Sequence, residues 1–190
     1  GYFCDNLDKT FAGQRYLARQ LRYVSKSKAV PLNATDLGDL NVFPLETEKH
    51  FSSVISQCEA VLELGAYLVL VGGDSSGLKA LGAAVQNVIN PDVPIVSLTN
   101  NNKLNLSKTQ KIILSVDLKE LAGKWLSKPR RLNGLSPSQI ISQINNIPNK
   151  IIAVAIFGLA PELDSRGSTE TQVALNILEA VVKRLDKGAH

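Results

Sequence analysis

"LVLVGGDSSGLKALGAAV", residues 68–85, joins an apolar run to a helix-patterned segment through two adjacent glycines. The run extends back to Tyr67 and is rich in residues that suit a strand covered on both faces, as strands of parallel sheets are. After the turn, Leu78, Leu81, Val85 and Ile89 lie along one side of a helix. A glycine turn between such a strand and helix commonly sits beside a ligand, because ligands of open α/β sheets bind outside the carboxyl ends of the strands.

The same alternation runs outward in both directions. Upstream, Phe51, Val54, Ile55, Cys58, Val61 and Leu62 mark one helix face, and Gly65 supplies a left-handed stop. Downstream, "VPIVSL" at 93–98 and "KIILSV" at 111–116 read as buried strands separated by the polar loop "TNNNKLNLSKTQ". "SPSQ" at 136–139 combines an N-cap serine, a proline at the first helical position and a glutamine at the third. It predicts a helix with Ile140, Ile141, Ile144 and Ile147 inward. "IIAVAIF" at 151–157 is another buried strand, and a closing helix from Thr169 places Val173, Ile177, Val181 and Leu185 inward. Near the start, "FAGQRYLARQLRYV" at 11–24 is helical in pattern, and "AVPLN" at 29–33 suits a short strand before "DLGDL".

Strands apolar throughout, alternating with helices, predict an α/β fold: a three-layer αβα arrangement around a mostly parallel sheet. With 190 residues and no linker or repeat, the chain is expected to be one domain over 1–190. No apolar run approaches the roughly 20 residues of a membrane span. A net charge of +4, clustered only in "KPRR" at 128–131, is too diffuse for a nucleic-acid footprint. Cys4 and Cys58 allow one bridge at most, and Cys58 falls on an apolar helix face as a small hydrophobe. The chain begins at Gly1, contains no methionine and shows no signal peptide, and the sequons "NAT" at 33–35 and "NLS" at 105–107 carry little weight. A soluble, intracellular protein is the expectation.

In such a sheet "GGDSSG", "SLTNNN" and "SVDLK" at 115–119 emerge at the same end and are candidates for one pocket. Gly72 and Gly73 permit the turn, and Ser75 and Ser76 fall near a helix N-terminus, where amides and dipole favour an anion. The plainer reading is that the serines cap the helix and the glycines only turn the chain. No "GxGxxG" or "GxxxxGK[ST]" is present, and Lys79 lies within the helix.

Read in order, "DLGDL" at 36–40, "LVLVGGDSS" at 68–76, "IILSVDL" at 112–118, "LNGLSPSQI" at 132–140 and "AIFGLAPELDSRGSTETQVALNIL" at 155–178 resemble the ureohydrolase family of arginases, agmatinases and formimidoylglutamases. That family shows "D.GD", "GGDHS", "DAHxD", "SxDxD", "GGL" opening a helix, and "xEVNPxxD" in this order. The resemblance implies an arginase-like sheet, here reduced, because the stretch between "SLTNNN" and "SVDLK" is short where members carry further helices and strands. It also implies a carboxylate-bridged pair of manganese ions that turns water into a nucleophile for a guanidinium or formimino carbon.

The motifs depart from the family where that chemistry lives. Ser75 stands for the histidine of "GGDHS"; Ser97, Thr99 and Asn101 or their neighbours stand for "DAHxD". Asp117 keeps one aspartate of "SxDxD", but Lys119 takes the other position and puts an ammonium where a cation would sit. Lys119 is expected to pair with Asp117 or Asp74. Gly158 stands where arginase-like members hold the substrate's cationic group with glutamate, and His50 and His190 are expected to be exposed. The vestigial pocket is therefore Gly72, Gly73, Asp74, Ser75, Ser76, Ser97, Thr99, Asn101, Asp117, Lys119 and Gly158, with no metal, cofactor or catalytic residue assigned.

Three functions remain open at this point. The first is an inactive ureohydrolase-like binding, structural or regulatory subunit, self-associating as ureohydrolase trimers and hexamers do or joined to another subunit. The second is a protein or enzyme binding a small phosphate or carboxylate through Ser75, Ser76 and Lys119. The third is a metal-dependent ureohydrolase with a non-standard site.

Overall fold

A computed structural model describes residues 1–2, 14–27, 33–41, 43, 45–99, 109–122, 125–126, 134–161 and 169–187. Helix α1 spans Leu17–Ser27, α2 Thr47–Glu63, α3 Ser76–Val88, α4 Pro137–Asn146 and α5 Thr169–Lys187. The strands are β1 Leu68–Val71, β2 Ile95–Ser97, β3 Lys111–Asp117 and β4 Lys150–Phe157. All pairings are parallel, in the order β1-β4-β3-β2. "AVPLN", "KPRR", Cys4, Asn101 and His190 lie wholly or mainly outside the described residues.

β4 is central, which is why seven of its eight residues are buried, with Lys150 at its mouth the exception. Its side chains alternate between two cores. Val154 and Ile156 join Leu17 and Leu21 of α1, Ile140 and Ile144 of α4 and Ile177 and Val181 of α5 on one face. Ala155 and Phe157 meet Val54 and Cys58 of α2 and Leu81 and Val85 of α3 on the other. A bulge interrupts the alternation: Ile112 pairs with Ile151 and Ile113 with Ala153, so Ile152 and Ala153 both turn toward α2 and α3. The layers are helices, sheet, helices, as the alternating pattern requires.

The helix stops are local. Gly65, at φ +73°, follows the C-cap of α2 and adopts the left-handed conformation that glycine takes without penalty. Ser136 Oγ accepts the Gln139 N–H at 3.2 Å while Gln139 Oε1 accepts the Ser136 N–H at 2.8 Å, a complete capping box with Pro137 at the first helical position. Ser136→Ala should lower the unfolding free energy by about 1 kcal/mol, read by urea denaturation.

Two expectations for the strands need correction. β1 is only partly covered, with Leu70 its one buried side chain, because it lies at a sheet edge. β2 is three residues long at the opposite edge, with Ser97 exposed and Ile95 44% exposed, so "VPIVSL" is not a strand buried on both faces. An apolar run shows that a strand is wanted; it does not show how many strands flank it.

The β1 edge is extended by backbone from elsewhere. Tyr2 N–H donates to Val71 O at 2.7 Å and Leu40 N–H to Gly1 O at 2.9 Å. The "DLGDL" loop thereby comes alongside. Its Asp36 and Asp39 grip Arg22 of α1, with Arg22 Nε at 2.6 Å from Asp36 and Nη1 at 2.7 Å from Asp39. The Arg22 guanidinium holds the Asp36 carboxyl below the usual carboxylate range, helped by the Gly38 N–H. Two carboxylates that would suit a cation are instead spent on docking α1.

Candidate functional site

The carboxyl ends of β1, β3 and β4 converge. Gly72 N–H donates to Ile156 O at 2.9 Å, Gly158 N–H to Gly73 O at 3.2 Å, and Gly73 N–H to the carbonyl of buried Gln14 at 3.0 Å. Gly72 at φ +100° and Gly73 at φ +64° make this turn. A Cβ on Gly72 would also stand 2.9 Å from the Tyr2 carbonyl, so the turn and the Tyr2 strand are fitted to each other.

Gly158, at φ +89°, lies against the end of β3. A Cβ there would overlap Asp117 Oδ1 and come within 3.0 Å of Lys119 Cε. Asp117 caps the short 3-10 turn after β3 by accepting the Lys119 N–H at 2.9 Å. Lys119 is 7% exposed, so the ammonium stem is folded into the strand ends beside Gly158. Gly72, Gly73, Asp117, Lys119 and Gly158 thus form one cluster. The Lys119 backbone N–H is held by Asp117, and the Lys119 stem passes beside Gly158 toward the same carboxylate.

Asp74 and Ser76 also take part in a second set of contacts. The Ser76 N–H donates to Asp74 Oδ1 at 2.8 Å and the Ser76 hydroxyl donates to the same oxygen. Ser76 Oγ lies 2.6 Å from Tyr2 Oη, which lies 2.8 Å from His50 Nε2, and the Phe43 N–H donates to His50 Nδ1 at 3.3 Å. An N–H donated to Nδ1 leaves the ring proton on Nε2. The donors then run one way: His50 to Tyr2, Tyr2 to Ser76, Ser76 to Asp74. Tyr2, His50, Asp74 and Ser76 are at most 1% exposed.

This corrects two sequence readings. His50 is buried, not exposed, and burial holds its pKa below the ordinary 6.5, with Asp74 opposing. Ser75 sits at the N-cap of α3 with no side-chain cap bond; the cap is the carboxylate of Asp74. Neither Tyr2 nor Phe43 carried a local signal, because their role is made by contacts 74 and 7 residues distant.

Ser97, which ends β2, is the register partner of Ser115, two residues before Asp117. Thr99 O accepts from Gln143 Nε2 of α4 at 3.3 Å. β2 is separated from β1 by three strand spacings, about 14 Å. Asn101 cannot be added, since it falls outside the described residues.

A pair of manganese ions needs carboxylates and imidazoles converging on one cage. The described strand ends supply neutral hydroxyls at Ser75, Ser97 and Thr99, two aspartates that already accept backbone N–H groups, Asp74 and Asp117, and the Lys119 ammonium. His50 has both ring nitrogens engaged in the α2/α3 core. Among the described residues no three His, Cys, Asp or Glu side chains group so as to hold a metal. The described residues do not fit such a centre.

No protein-family model matches the chain, and no curated protein matches it in sequence. Solved structures do. Proclavaminate amidino hydrolase of Streptomyces clavuligerus superposes with TM-score 0.84 at 15% identity, over 100% of this chain and 91% of that one. The agmatine ureohydrolase of Thermoplasma volcanium gives TM-score 0.74 at 14% identity over 98% and 88%, and the formimidoylglutamase of Bacillus subtilis gives 0.72 at 14% over 98% and 87%. No helix of the described residues is long and apolar enough to cross a membrane. The chain has the ureohydrolase fold, in a form shorter than the full-length family.

Proposed function

We propose that the chain is a catalytically inactive ureohydrolase-like protein that serves as a binding, structural or regulatory subunit, in a homo-oligomer or with another subunit. The observation that carries this reading is the cluster of Asp117, Lys119 and Gly158: a nearly buried ammonium stem crosses a glycine at the strand ends where the fold's hydrolytic chemistry would need clustered acids. A fixed positive charge there repels a divalent ion.

The edge at β2 supports a subunit role. It closes the described sheet with an apolar side chain, Ile95, 44% exposed, which a partner surface would cover. An anion seated on the α3 N-terminus is disfavoured, because Asp74 already occupies the Ser76 amide and places a carboxylate there.

The protein purified after manganese loading and desalting should retain no stoichiometric metal, and should release no urea or formamide from guanidino or formimino compounds. Two retained ions per chain, or turnover by the pure polypeptide, would falsify the reading.

A further inference from the structure

The opposite end of the sheet carries a second set of charges that nothing above uses. Lys111 and Lys150 open β3 and β4 and are register partners across the parallel pair. Like charges placed side by side on neighbouring strands repel. Arg184 and Lys187, in the last turn of α5, come to the same end. Arg184 Nη2 donates to Ile147 O at 2.9 Å and Asn149 O at 3.2 Å, which fixes the guanidinium against the turn that leads into β4.

An open cleft of about 330 Å³ lies here, lined among others by Thr109, Asn149, Lys150, Arg184 and Lys187. Its size is that of a small-metabolite site. None of Lys111, Lys150, Arg184 and Lys187 forms an ion pair with a carboxylate of the described residues, although Lys183 on the same helix does so with Glu179. Cations in the last turn of a helix offset its dipole, and that accounts for Arg184 and Lys187. Lys150 belongs to a strand instead; its Nζ lies 5.9 Å from the centre of the Tyr67 ring, and the residue lines the same cleft. Arg184, held by Nη2, keeps separate donors on Nε and Nη1, which point to opposite sides of the guanidinium, so that either can reach a ligand oxygen.

We propose that this cleft, between the end of α5 and the start of β4, binds a small phosphate-bearing anion through Lys150, Arg184 and Lys187. The anion offsets the charge of Lys150 and ties α5 to the sheet. The site is independent of the strand ends where Lys119 lies.

The test is isothermal titration of the full chain with inorganic pyrophosphate and inorganic phosphate, with ionic strength held constant. Saturable binding of at least one of them is expected. Lys150→Gln with Lys187→Gln, both at exposed positions, should leave the fold intact by circular dichroism and weaken that binding at least about tenfold. Arg184→Gln should weaken it further, and because that variant also loses two carbonyl contacts, the lysine pair is the deciding one. Lys119→Gln should leave it unchanged. No saturable binding, binding unaffected by the lysine pair, or loss with Lys119→Gln in their place would overturn the proposal.

Discussion

Gly158→Ala is expected to lower the unfolding free energy by about 2–3 kcal/mol, which for a chain of this length moves the melting temperature by roughly 5–10 °C. The backbone contributes first: φ is +89°, where any residue with a Cβ is strained. Packing contributes second, because the added methyl overlaps Asp117 Oδ1, and Asp117 must swing off the Lys119 N–H that it caps. The two contributions separate in a double-mutant cycle. Asp117→Ala removes the obstacle, so Gly158→Ala should cost about 1 kcal/mol less in that background, and urea denaturation of the four proteins reads the difference. Additive losses would show that Asp117 and Gly158 do not press on each other.

That contact also shows how far the sequence could be read. β4, α4 and α5 were legible because each carries its own period or cap: an eight-residue strand with a seven-residue apolar run, a serine-proline-glutamine start, and inward positions Val173, Ile177, Val181 and Leu185. Asp117, Lys119 and Gly158 were legible as a cluster because parallel strands deliver their carboxyl ends to one side. The coverage of the two outer strands was not, since it depends on neighbours that a single apolar run does not encode. The fate of polar groups was harder still. Asp36 and Asp39 read as motif carboxylates, yet they belong to Arg22; Ser75 read as a cap, yet Asp74 performs that task. Such assignments depend on which of several nearby partners wins, and the winner is fixed by tertiary distance.

His50 is the sharpest instance, and it carries the second large effect. The histidine begins no motif, but it is the source of the donor chain through Tyr2 and Ser76 to Asp74. Asp74→Ala should lower the unfolding free energy by about 3 kcal/mol, because it removes the α3 cap and leaves the buried Ser76 hydroxyl without its acceptor. Tyr2→Phe should cost less, about 1–2 kcal/mol, since the ring still fills the space beside Gly77 while only its hydroxyl is lost.

The pH dependence follows from the ring. Burial depresses the folded-state pKa of His50 below 6.5, so below pH 6.5 the unfolded chain takes up a proton that the folded chain refuses. The contribution of His50 is then full above that pH and falls as the pH drops, by at most about 1.4 kcal/mol per unit, until the folded ring also protonates. Asp36, whose carboxyl is held below its ordinary 3.8, loses its contribution only in a more acidic window, so the two groups separate along the pH axis. His50→Gln should abolish the ring's share of the loss below pH 6.5 while lowering stability at pH 8, because the amide cannot both accept from Phe43 and donate to Tyr2 with the imidazole's reach. Urea midpoints measured at intervals from pH 8 to pH 5 decide it, and a slope that persists in His50→Gln would place the titrating group elsewhere.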